Sequence, residues 1–209
     1  MKETALAALH LERGARLVRV NGMSLPASFE SEGDLRDLAM VDVSCFAKTG
    51  LKGPRAAPWL AERGVPLPPR ANTWTGDLIA RLGESEFFLQ GDAACEVPEN
   101  LPGVYPVLRQ DTAIVLAGRR INDVLLETCS FDFAALDAPE TLVMTSMVGV
   151  PVLVIPQRRE GLPLARIWAD PTFGPYLWQT LLDIVHELGG GPAGLSSLYP
   201  QLQEKGGSQ

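Results

Sequence analysis

Reactive side chains are scarce in this chain. It has two histidines and three cysteines among 209 residues. Much side-chain catalysis and most zinc binding draw on those residue types. No two of them stand within a helical turn of each other, and there is no CxxC, so no zinc-ligand spacing exists. There is also no G-x-S-x-G, no dinucleotide fingerprint and no P-loop. Gly189-Gly190-Gly191 follows a helical pattern instead of opening one, so it reads as a helix C-cap. A basic tract is missing as well. The formal charge is −7 and the pI about 4.9, which argues against nucleic-acid binding through Lys and Arg contacts to phosphate. Long apolar runs are absent. The longest charge-free window, Thr141 to Gln157, is broken by Gly149, Pro151 and Pro156 and falls short of the ~20 residues a membrane helix needs. The stretch Ala5 to Leu11 lacks the apolar core of a signal peptide. The expected location is cytoplasmic, with no membrane partner. There, Cys45, Cys95 and Cys129, odd in number and far apart, read as free thiols.

What is present is an ordinary globular composition, 46% hydrophobic and 21% charged. The 20 glycines and 17 prolines predict many turns and few long helices. Asn21-Gly22, between Arg16–Val20 and Met23–Phe29, marks a type I′ hairpin. Gly33–Met40 suits a short helix and Val41–Phe46 a strand. Lys48–Lys52 leads to a Gly53-Pro54 turn and a helix over Pro54–Arg63, ended by Gly64. Val65–Asn72 is Pro-rich and extended. Asp77–Leu82 and Glu86–Gln90 read as strands, with Ala93–Gly103 as a connector. Strands then recur at Val104–Arg109 and Ala113–Leu116, followed by Gly118 and a helix over Arg119–Thr128. Leu142–Met147 and Val150–Ile155 form a hairpin, and Leu164–Trp168 adds a strand. Phe173, Tyr176, Leu177, Thr180, Leu181, Ile184, Val185 and Leu188 make an apolar stripe on the longest helix, Phe173–Leu188. The tail beyond it is polar and Gly-rich, with disorder expected in part.

An internal repeat is visible. Leu51-Lys52-Gly53-Pro54-Arg55 and Leu60 overlay Leu116-Ala117-Gly118-Arg119-Arg120 and Leu125 at an offset of 65 residues. Each copy is strand, Gly turn, helix. The repeat predicts an α+β chain of two similar subdomains of antiparallel or mixed sheet with packed helices. The boundaries read as 1–103, 104–191 and a polar tail over 192–209.

Candidate chemistry is thin. A nucleophile needs a base, and the only histidines are His10, in an apparently mobile N-terminal segment, and His186, at the edge of an apolar stripe. A Cys/His or Ser/His dyad is disfavoured on that ground. Lys48, Lys52 and Arg55 bracket the first Gly turn, and Arg109, Arg119 and Arg120 the second. Such groups at helix starts hold anions, although solvated charge and ion pairs are the commoner outcome. Among the aromatics, Phe131 or Phe133 reads as core, while Trp74 fits either core or a partner surface.

These segments resemble a known family. Asp42-Val43-Ser44, Thr49-Gly50-Leu51-Lys52-Gly53-Pro54-Arg55-Ala56-Ala57 and Trp59-Leu60 are similar to the gamma subunit of heterotetrameric sarcosine oxidase. The Pro-rich run closing on Asn72-Thr73-Trp74 fits the same pattern. So do Arg81-Leu82-Gly83-Glu84 with Glu86-Phe87-Phe88-Leu89, Leu126 to Phe133, and Tyr176-Leu177-Trp178. The resemblance runs from about Val41 to Gly189. It implies an aminomethyltransferase-like fold and a small non-catalytic role. Larger alpha- and beta-type partner subunits would hold FAD, FMN, NAD and tetrahydrofolate, with no cofactor bound by this chain alone. The sequence departs from the active relatives at three places. The Asn-Gly-Gly…Asp segment of an active aminomethyltransferase has no counterpart in Leu78–Leu89. The Tyr-Thr-Gly-Glu stretch has none in Thr141–Pro156, where the nearest Glu is Glu140. Of the tRNA-modifying relatives' Lys-Gly-Cys-Tyr, only Cys129 in Thr128-Cys129-Ser130-Phe131 could correspond. Amine activation and pterin recognition therefore lack an agent, and no catalytic, cofactor-binding or metal-ligating residue is carried over. The alternatives are a stand-alone tetrahydrofolate-dependent aminomethyl or one-carbon transfer protein, and a subunit of another methylated-amine demethylating enzyme.

Overall fold

A computed structural model describes residues 2–76, 78–136 and 138–202. The chain begins with β1 (Lys2–Glu3), α1 (Ala7–Glu12), β2 (Arg16–Val20), β3 (Met23–Ser28) and β4 (Ala39–Asp42). Next come β5 (Lys48–Lys52), α2 (Ala56–Ala61), β6 (Thr73–Thr75), β7 (Ile79–Arg81), β8 (Glu86–Gln90) and β9 (Tyr105–Val107). The remainder is β10 (Thr112–Ala117), α3 (Ile121–Thr128), β11 (Val143–Met147), β12 (Val150–Arg159), β13 (Leu162–Ala169), α4 (Gly174–Glu187), β14 (Gly191–Pro192) and α5 (Leu195–Leu198).

Two compact units result, and neither is a single stretch of chain. One comprises Met1–Cys45, Asp111–Asp137 and Met144–Gln209; the other comprises Phe46–Gln110 and Ala138–Val143. The first unit holds a six-stranded sheet, ordered β11-β12-β13-β10-β4-β14, and a three-stranded one, β1-β3-β2. The second holds a five-stranded sheet, β6-β7-β8-β5-β9. Its core lies between α2 and that sheet, where Leu51, Trp59, Leu60, Ile79, Phe87 and Leu89 pack together.

The repeat seen in the sequence is structural. β5-α2-β6-β7-β8 and β10-α3-β11-β12-β13 follow the same path, and the offset of the helix starts, Ala56 and Ile121, matches that of the motif. Gly53 (φ 128°) and Gly118 (φ 118°) adopt the same left-handed turn. A Cβ on Gly53 would lie 2.4 Å from the Gly103 carbonyl oxygen, and one on Gly118 2.2 Å from that of Asp37. That approach lets the Arg55 amide donate to Gly103 O at 2.9 Å and the Arg120 amide to Asp37 O at 3.1 Å. Only glycine permits both the angle and the closeness.

The fifth strand of each of the two larger sheets explains why a cut at residue 103/104 does not divide this molecule. β4 precedes β5 in the chain, yet it pairs antiparallel with β10 (Asp42 opposite Ile114, Ala39 opposite Ala117). β9 precedes β10, yet it pairs antiparallel with β5. The halves have exchanged strands, so hydrogen bonding and chain order disagree. The tail also departs from expectation. β14 runs parallel to β4, and Ala193, Leu195, Leu198 and Tyr199 are buried. Residues 203–209 of that tail lie outside the described residues.

Most elements fall where periodicity places them. The Asn21-Gly22 hairpin has positive φ at both positions. The Gly triplet ends α4 as a Schellman motif, with Gly190 donating to Val185 O and Gly189 to His186 O. The helix expected at Gly33–Met40 is absent. The Asp34 carboxylate accepts from the Arg36 amide, which turns the chain locally, and Ala39 already belongs to β4. On α4 the buried stripe is Leu177, Trp178, Leu181, Leu182 and Val185; Phe173 and Tyr176 face outward. Just before α4, Asp170 accepts from both the Thr172 hydroxyl and its amide. Those bonds hold its carboxyl below the usual range, the hydroxyl bond first.

The N-terminal segment is held by a buried polar centre rather than being mobile. Asp42, fully enclosed, accepts from Thr4 Oγ1 at 2.9 Å, from the Ser44 amide at 2.9 Å and from Ser44 Oγ at 2.6 Å. His10 Nε2 lies 2.9 Å from Asp42 Oδ2, and because a carboxylate only accepts, Nε2 carries the proton. Leu6 and His10 share one face of the α1 turn, and both are wholly buried. The His10 ring meets Trp178 edge to face at 4.8 Å and Phe29 at 5.9 Å.

Removing the acceptor strands several buried donors at once. Asp42→Ala should destabilise the chain by about 3 kcal/mol, read from urea denaturation. Gly118→Ala should cost about 2 kcal/mol or more, against about 1 kcal/mol for Gly64→Ala. The difference arises because a Cβ at Gly64 meets nothing within 4 Å.

Candidate functional site

The residues singled out by sequence do not assemble into a catalytic centre. Ser44 and His10 both bind Asp42, on opposite carboxylate oxygens. A nucleophilic serine needs its hydroxyl on the imidazole. Here Ser44 Oγ donates to Asp42 and accepts from the Ala113 amide at 3.0 Å. His10 Nδ1 is buried with no hydrogen-bond partner. The centre is sealed and holds strands together.

His186 is exposed, in a cleft of about 520 Å³ within the first unit. Arg13, Glu30, Ser31 and Asp34 line the same cleft. No hydrogen bond joins Ser31 to His186, so the dyad geometry is absent there too. Arg13 Nη2 donates to Gln179 at 3.3 Å. The Glu32 carboxylate ties the cleft wall together, accepting from the Phe29 and Gly194 amides and from Ser197 Oγ. Among the described residues no group of three or more His, Cys, Asp or Glu is placed to hold a metal ion.

The bracketing cations are mostly engaged within the protein. Arg119 pairs with Asp37 at 2.7 Å. Arg120 pairs with Asp123 at 2.9 Å and donates to the Leu188 carbonyl at the end of α4, where the helix dipole favours a cation. Lys48 Nζ donates to Phe46 O at 3.3 Å. The Arg109 guanidinium lies 4.6 Å over the Phe88 ring. Lys52 and Arg55 are exposed. The two sets thus do not form a pair of matching anion cradles; the second set serves ion pairing and capping. Phe133 is buried and meets half-buried Phe131 edge to face at 4.9 Å. Trp74 is half-buried on β6, opposite Ala80.

Two arginines that sequence reading passed over are placed more unusually. Arg166 on β13 is 8% exposed. Its Nε donates to Gln157 Oε1 at 2.7 Å and its Nη2 to the Tyr199 hydroxyl. Arg159 lies 4.7 Å from the centre of the same Tyr199 ring. The only sequence signal was a charged residue inside an apolar strand, in Leu164-Ala165-Arg166-Ile167-Trp168.

None of the three cysteines forms a disulfide. Burial pushes the Cys95 thiol above its ordinary value of 9.0, and the nearby Arg63 charge partly offsets this. Iodoacetamide at pH 8.5 should therefore alkylate Cys95 more slowly than free cysteine, with the gap closing as pH rises past 9. Arg63→Gln should widen it. Mass-spectrometric peptide mapping over time reads both.

No family model matches the chain, and neither does any curated protein. Among solved structures it is similar to the glycine cleavage system aminomethyltransferase T from Bartonella henselae. The TM-score is 0.68 at 15% identity, over 87% of this chain and 57% of that one. The chain thus spans less than two thirds of that protein's length. With its exchanged strands and paired glycine turns, this chain has an aminomethyltransferase-like α+β fold.

Proposed function

We propose that this chain is a small non-catalytic subunit of a cytoplasmic, flavin- and folate-dependent complex that oxidises sarcosine or a related N-methyl amine. Larger alpha- and beta-type partners would hold FAD, FMN, NAD and tetrahydrofolate. The observation that carries the reading is an aminomethyltransferase-like fold whose two central hairpins bury apolar side chains. Leu78, Ile79, Ala80, Phe87, Phe88 and Leu89 fill the first with buried hydrocarbon. Thr141–Pro156, in the second, contains no ionisable residue. Proton transfer from an amine needs a positioned base, and the two carboxylates of the first hairpin lie at its turn end, Glu84 exposed and ion-paired with Arg81. Exposed apolar side chains support a partner-bound role. Leu126, Met144, Phe173 and Tyr176 are exposed in the first unit, and Leu108 and Tyr105 lie at or beside β9 in the second, Leu108 at 82%.

Affinity capture of the tagged chain from its source cells, followed by mass spectrometry, tests this. Recovery of a larger flavoprotein, in a complex that oxidises sarcosine, is the expected result. A stable monomer that recovers no such subunit counts against it. Titrating the isolated chain with tetrahydrofolate separates the second reading, a stand-alone one-carbon transfer protein, for which the fold itself is the argument. No heat and no thermal shift are expected; saturable binding would favour that alternative.

A further inference from the structure

Arg166 is a buried cation that has no counter-charge among the described residues. An arginine side chain stays protonated in proteins, and a buried charge requires pairing. Among the described residues neither Arg166 nor Arg159 has a carboxylate at ion-pair distance. Arg81, Arg119 and Arg120, all less enclosed than Arg166, each have one. The Arg166 partners are neutral: the Gln157 amide oxygen and the Tyr199 hydroxyl. Its Nη1 has no acceptor among the described residues. Arg159, half-buried at the end of β12, brings a second guanidinium to the same place. Its Nη1 is fixed by the Leu198 carbonyl at 3.1 Å. Both guanidinium carbons lie against one buried ring, at 4.7 Å and 5.9 Å from the Tyr199 centroid. Two like charges are held together, by rigid partners, in a chain whose net charge is −7.

We propose that Arg159 and Arg166, oriented by Tyr199 and Gln157, form a binding site for an oxyanion. The group recognised is a carboxylate or a phosphate, since either presents paired oxygens to a guanidinium fork. The site lies wholly within this chain, so it stands or falls separately from the subunit reading.

The full chain is titrated with inorganic phosphate and, separately, with glutarate, at constant ionic strength made up with sodium chloride. Calorimetry and thermal melting are the readouts. Saturable binding of at least one anion is expected, with a rise in Tm. Arg159→Gln should weaken it about tenfold or more, and Arg166→Gln should abolish it in a variant whose circular dichroism is unchanged. If Arg166→Gln does not fold, Arg159→Gln decides alone. A stronger response to phosphate identifies a phosphate site, and one to glutarate a carboxylate site. The proposal is overturned if neither anion binds saturably, or if Arg159→Gln binds as the parent does.

Discussion

The carboxylate of Asp42 is the constraint on which the first unit depends. It sits at the end of β4, fully enclosed, and could not be tolerated there without partners. Thr4, His10 and Ser44 supply them, from the N-terminal segment and from the turn that follows β4. Ser44 then bonds the first strand of the second repeat through the Ala113 amide. One acid thus ties three separated pieces of chain together. It also accounts for Asp42-Val43-Ser44 standing out in the sequence: Asp accepts, Val fills the core, and Ser returns the bond.

The exchanged strands follow from the same economy of close contacts. A glycine turn brings the N-cap arginine amide of each repeat's helix onto a carbonyl just ahead of the fifth strand. In one sheet that carbonyl belongs to Asp37, which leads into β4. In the other it belongs to Gly103, which leads into β9. Each repeat therefore completes its sheet with a strand that the chain order assigns to its neighbour. A fold built this way resists division into consecutive halves, although each sheet follows one plan.

The two central hairpins bury hydrocarbon. Phe87, Phe88 and Leu89 are enclosed in one, and Val143, Val150 and Val152 in the other. Asp42 and its buried partners serve the scaffold, and Arg166 with its neighbour Arg159 stands apart from them. That pair presents two cations to neutral partners, whereas the Asp42 carboxylate is met by donors from Thr4, His10 and Ser44. The contrast separates a structural polar cluster from a candidate ligand site.

Local pattern determined much of this protein. The period-two strands, the Asn21-Gly22 hairpin, the helix ends at Gly64 and Gly189, and the repeat of Leu51 to Leu60 at Leu116 to Leu125 were all legible. They depend on near neighbours and on backbone angles that few residues accept. Only the tertiary structure decided which sheet β4 and β9 join, because strand pairing is a long-range hydrogen-bond choice that residue order does not encode. It also decided that His10 and the start of the tail are core rather than mobile. A single histidine in a short helix, or Leu195 and Leu198 in a Gly-rich stretch, shows no periodicity long enough to read. Arg166 gave no signal beyond a charge inside an apolar strand, and only the packing around Tyr199 showed that its charge has no carboxylate partner among the described residues.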